Sequence, residues 1–184
     1  MLRLGHDERM ITEIMAVAEH VAGLTAGAAA MRLSPDVPEG EQPAAALRPP
    51  SQPVGEALGV LAEIERWAEP ALGRARAPAF WHVLAHQPRL LAATWAKDRL
   101  VLGAGRLDAA AKACISLAVA SFRQSPYWIA YYTALVRSAC SFGERELVEL
   151  AACVMHYVSF NTIAHGMRLE PTFEEMTSGQ LSEG

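Results

Sequence analysis

Proline and glycine cut this chain into pieces of helical length, and that punctuation limits the fold more than any other feature. Pro78, Pro88 and Pro126 each open an apolar run, while Gly73, the Gly103-Ala104-Gly105 stretch and Gly166 close others. Proline is tolerated in a first helical turn, where its missing N–H would go unpaired anyway, and glycine ends helices because left-handed backbone costs it nothing. Between these marks apolar residues recur every three or four positions, and no segment has the alternation of a strand. Val54 to Glu69 carries Leu58, Leu61, Ile64 and Ala68 at this spacing, with Glu63 and Glu65 outward and Pro70 and Gly73 as its stop. A short helix is expected from Ala79 to His86 and a longer one from Pro88 to about Leu102. Asp108 is placed to cap a helix running to about Phe122. Pro126 to Ser141 and Glu144 to about His165 complete the set. The expected class is all-α, with six to seven helices.

A chain of 184 residues, 52% hydrophobic and 20% charged, has the length and composition for one domain with a substantial core. The net charge of −4 and the lack of a Lys/Arg cluster exclude a nucleic-acid partner. No apolar stretch of membrane-spanning length is free of charge or proline, so no membrane partner is expected. The first residues lack the basic start and apolar run of a secretory signal. Cys114, Cys140 and Cys153 are odd in number and widely spaced, as in reduced cytoplasmic proteins without a disulfide framework. The expected location is cytoplasmic.

A repeat joins the two ends of the chain. Residues 7–36 align without gaps on residues 143–172 and share ten of the thirty positions, far above chance. The identities include Glu13/Glu149, Ala16/Ala152, His20/His156, Ala28/Ala164 and the Met-Arg-Leu-x-Pro runs that begin at Met31 and Met167. Residues 1–36 then read as the closing helix of a partial upstream repeat, with an apolar face to be covered through dimerisation or pseudo-symmetric docking. Residues 37–53 read as a Pro/Ala-rich linker: six of the eleven prolines lie between Ser34 and Pro53, where they remove donors and disfavour helix. A helical domain follows over 54–175 and a flexible tail over 176–184.

Three stretches of that domain carry a family likeness. They are Phe80-Trp-His-Val-Leu-Ala-His-Gln-Pro-Arg-Leu-Leu91, Ser125-Pro-Tyr-Trp128 with Tyr132, and Phe160-Asn-Thr-Ile-Ala-His-Gly-Met-Arg-Leu-Glu-Pro171. In this order they resemble the alkylhydroperoxidase D / carboxymuconolactone decarboxylase superfamily over roughly residues 77–172. The resemblance implies a helical bundle that assembles into dimers or higher homo-oligomers. It also implies a thiol peroxidase site built from Cys-x-x-Cys, a following His and an upstream Glu. Those four positions here are Ser125, Trp128, Tyr132 and Ala113. A hydroxyl does not ionise near neutral pH and cannot form a disulfide, so the redox chemistry is expected to be lost while Ser125-Pro126 keeps the helix start.

Other chemistry is carried by few residues. Trp128, Tyr131 and Tyr132 are candidates for an aromatic pocket, with His165 as a base and Cys114 as a substitute thiol; packing or helix-end roles account for each equally well. His82 and His86 lie one turn apart, but no zincin pattern or paired Cys spacing accompanies them, so neither a metal nor a cofactor is expected. The leading expectation is a non-redox binding or assembly module, with room for a small-molecule ligand. The alternative is an enzyme with non-thiol chemistry on the same scaffold, of the small-acid decarboxylase or tandem-repeat haloacid dehalogenase type. For that role Asp98 and Asp108 are available carboxylates outside any recognisable motif.

Overall fold

The computed structural model describes residues 8–35, 46–73 and 77–169. Seven α-helices and no strands occur among them: α1 (Glu8–Ala30), α2 (Glu56–Leu72), α3 (Ala79–Leu84), α4 (Pro88–Leu102), α5 (Ala109–Phe122), α6 (Pro126–Cys140) and α7 (Glu144–Gly166). α5 and α6 form a close-packed hairpin at the centre. α1 lies across α4, α5 and α6, α2 packs on α4 and α6, and α7 packs on α5.

Most boundaries follow the punctuation. Asp108 caps α5 by accepting the Ala111 N–H at 2.7 Å, and Pro88 and Pro126 sit in the first turns of α4 and α6. α2 departs from expectation twice. Pro70 lies inside it and only Gly73, left-handed at φ 64, ends it. So close to the C-terminus, the missing proline N–H interrupts little of the ladder. The buried stripe is Ala57, Leu61, Ile64 and Ala68. Leu58 sits about a quarter-turn off that stripe and is exposed.

Gly166 is the last helical residue of α7 rather than its stop, and the same ending closes α1. Arg32 (φ 54) and Arg168 (φ 53) take the left-handed position usually given to glycine. Arg32 N–H bonds Ala29 O and Leu33 N–H bonds Ala28 O, both at 3.0 Å; Arg168 bonds His165 O at 3.1 Å and Leu169 bonds Ala164 O at 3.0 Å. This is the paired closing bond of a Schellman motif, made twice from one Met-Arg-Leu sequence. α1 and α7 are 23 residues each and start and stop at aligned positions.

Their surroundings differ. α1 buries Val17, His20, Val21, Leu24, Thr25 and Ala28, so its apolar face is covered by docking on its own chain. α7 buries no residue completely. Only Leu147 and Leu150, in its first half, pack against the core.

Candidate functional site

The helix carrying the degenerate motif lies in the core. Tyr127, Trp128, Tyr131 and Tyr132 on α6 are all buried. The Trp128 ring sits 5.1 Å from Phe80, 5.0 Å from Tyr131 and 5.5 Å from Tyr132, centroid to centroid. Its indole N–H donates to the Leu24 carbonyl of α1 at 2.8 Å, and the Tyr127 hydroxyl accepts the Phe80 N–H at 3.0 Å. Aromatic edges meeting faces at these separations are the packing of a filled core. Ser125 precedes Pro126 in extended backbone, but its hydroxyl makes no capping bond; its carbonyl accepts the Ile129 N–H.

The remaining sequence candidates lie apart from Trp128. Ala113 is buried on α5. Cys114 faces Cys140, with the sulfurs 3.9 Å apart, and Cys140 also reaches the Ala110 carbonyl. Burial, reinforced by Cys140, pushes the Cys114 thiol up to about 11, so at neutral pH it holds its proton and is a poor nucleophile. His165 is exposed on the last turn of α7. His82 and His86 serve different neighbours: His82 lies 4.0 Å from Glu65 and His86 meets the Arg48 carbonyl at 2.9 Å. Among the described residues no three His, Cys, Asp or Glu side chains converge as a metal-ligand set.

The structure brings together four residues that the motif search passed over. His20 of α1 and Asp98 of α4 form a buried pair, Nε2 to Oδ1 2.9 Å. Burial pushes the Asp98 carboxyl above its ordinary range, and His20 and Arg99 offset that only in part. Two helical turns earlier on α1, Glu13 meets Lys112 of α5. The Lys112 ammonium also donates to the carbonyls of Val101 (2.9 Å) and Gly103 (2.7 Å), so its three protons are all engaged. Glu13 additionally accepts the N–H groups of Arg106 (2.8 Å) and Leu107 (3.0 Å). Its hydrogen bond to Lys112 leads the effects that hold its carboxyl below the usual range. The carboxylate lies so close to the loop that a Cβ on Gly105 would stand 1.8 Å from it, so a larger residue there would push Glu13 off its partners.

Beside these pairs lies a cavity of about 230 Å³, lined by Trp67, Asp98, Arg99, Lys112, Ser116 and Leu135 together with alanines. Trp128, Tyr131 and Tyr132 are outside its lining. Tyr132 lies against Ser116, which lines the cavity. Sequence does offer one signal for this site. Asp98 continues the apolar stripe of α4 after Leu91 and Trp95, and His20 falls on the buried stripe of α1; a polar residue on such a stripe demands a partner.

Comparison with known proteins yields no matching family model, no matching curated protein and no matching solved structure.

Proposed function

We propose that this chain is a non-redox relative of the alkylhydroperoxidase D-like helical proteins and works as an oligomeric binding or assembly module. One observation carries the reading. α7 repeats the sequence, length and ending of α1, yet the positions α1 buries are left largely uncovered on α7. Val17, His20, Val21 and Leu24 are at most 4% exposed, whereas their counterparts Cys153, His156, Tyr157 and Phe160 are all exposed. Of the fourteen large apolar residues on the surface of the described chain, seven lie between Val148 and Leu169. Apolar surface concentrated on one element marks an interaction site. Sedimentation velocity on the full chain should therefore show a species larger than the 19.9 kDa protomer, with the proportion rising with concentration. A monomer at every concentration would dismiss the proposal.

A second reading, an enzyme with non-thiol chemistry on small acids, is favoured by Asp98. Its carboxyl combines deep burial, a raised proton affinity and a place on the cavity wall beside Arg99. Such a group suits proton transfer in an apolar site. Turnover of a lactone acid or a 2-haloacid that disappears in Asp98→Asn would establish this reading; turnover unchanged by that substitution would remove Asp98 from it.

A further inference from the structure

The exposed side of α7 arranges its residues in an order that suits one kind of occupant. Along the stripe facing away from α5, small side chains come first, Ala152 and Cys153. His156 follows, and then the large Phe160, Ile163 and Met167, all exposed. The positions 152, 156, 160, 163 and 167 follow in steps of four, four, three and four, which keeps them on one stripe of the helix along which a second helix can pack. Run antiparallel about His156, two copies of this helix set the small Ala152 of each against the large Phe160 of the other. Run parallel, they would stack Phe160 on Phe160 and leave a gap between facing Ala152 side chains. Close packing favours large against small. We infer that α7 is the interface of an isologous dimer, packed antiparallel against the α7 of a second copy about a two-fold axis near His156. The inference rests on the assembly reading above and adds the partner and its geometry.

Two other occupants suit this surface less well. The groove that holds α1 in a second copy does not admit α7, despite the shared Glu, His and Ala positions. Alignment would place Tyr157 where Val21 sits at 0% exposure and Ile163 where Gly27 sits. A Cβ at Gly27 already comes within 3.2 Å of the Phe80 ring, so both replacements overfill a closed space. A bilayer is the other alternative, because α7 is long and apolar enough to cross one by length and composition. Glu149, His156 and Asn161 interrupt its surface, however, and ionisable groups at bilayer depth are costly. In a helix pair with its axis near His156, Glu149 falls opposite Ile163, where it keeps its own-helix partner Arg145 at 3.1 Å.

The test compares the wild-type full chain with Phe160→Glu, and a Cys153→Ser background with Cys153→Ser/His156→Cys. Because the altered positions are exposed, helix content by circular dichroism should match that of the wild type in each case. A wild-type dimer that becomes monomer in Phe160→Glu over the same concentrations supports the interface. Under a mild oxidant His156→Cys should cross-link the dimer at its axis. Native Cys153 should not cross-link, because antiparallel packing offsets its two copies by about 9 Å along the helices, beyond the reach of a disulfide. A Cys153–Cys153 cross-link in the wild type would instead mean parallel packing and overturn the geometry. An oligomer indifferent to Phe160→Glu would overturn the α7 interface and leave the assembly reading standing. A wild-type monomer would overturn both. Monomer that floats with phosphatidylcholine–phosphatidylglycerol vesicles, and stops floating in Phe160→Glu, would assign the face to lipid.

Discussion

Trp128→Ala should remove a large part of this protein's stability at ambient temperature. The indole is 1% exposed and surrounded by Phe80, Tyr127, Tyr131 and Tyr132, with α1 closing the far side. Truncating a buried tryptophan costs about 3–5 kcal/mol, because transfer energy is lost and the cavity collapses only in part. The substitution also removes the indole hydrogen bond to the Leu24 carbonyl, which lies within α1 and keeps its helical partner, at a further cost of about 0.5–1.5 kcal/mol. Against a typical total stability of about 5–15 kcal/mol, the sum removes a large part of the margin. Trp128→Phe separates the two contributions, since it keeps most of the ring contacts and loses only the N–H. Urea unfolding should place Trp128→Phe between wild type and Trp128→Ala. Equal midpoints for Trp128→Ala and wild type would mean that the ring is not the packing centre described here.

The second large effect is His20→Ala, and it should depend on pH. Removing one partner of a buried pair strands the other, at a cost of about 3–5 kcal/mol. The stranded group is Asp98, whose folded carboxyl already holds its proton more tightly than the ordinary value of 3.8. For a carboxyl raised in this way, the folded state binds more protons than the unfolded chain between the two pKa values, so stability falls as pH climbs through that window. Removing His20 takes away the strongest influences that lower the Asp98 value, which widens the window upward. The deficit of His20→Ala relative to wild type should therefore be largest near neutral pH and shrink toward the unfolded carboxylate value, where Asp98 is neutral in both states. Denaturation midpoints taken across that range check this. In the double variant His20→Ala/Asp98→Asn the pH dependence should vanish and part of the stability return. A deficit that stays constant with pH would mean that His20 acts through volume alone.

The helices were legible because proline, glycine and Asp108 act locally, through missing donors, left-handed backbone and a side-chain cap. The matching ends of α1 and α7 have the same local cause, since Met-Arg-Leu makes the same closing bonds in both places. How each helix would be covered was not legible: α4, α5 and α6 cover α1, and α7 is left largely open. Those contacts join residues some eighty to one hundred positions apart, such as His20 to Asp98 and Glu13 to Lys112, and no periodicity encodes them. The site was missed for a related reason. The motif drew attention to Trp128 and Tyr132, whose size and rings fill the core, while the titratable groups beside the cavity lie singly on apolar stripes. A lone aspartate on such a stripe is the mark to look for.

The two polar pairs that hold α1 also determine how it can leave. Glu13 and His20 lie two turns apart and engage different helices, α5 and α4. Fraying α1 from its first turn as far as Glu13 would give up the contacts to Lys112 and the Arg106–Leu107 loop. Lifting its second half would strand Asp98 and free the Trp128 indole N–H at the same time. Detaching either end thus breaks a polar tether, and α1 is held along its length. The first helix and the aromatic centre form one cooperative unit, although a proline-rich stretch separates them in sequence. The far half of α7 has no comparable tether and stands as the most independent element of the described chain.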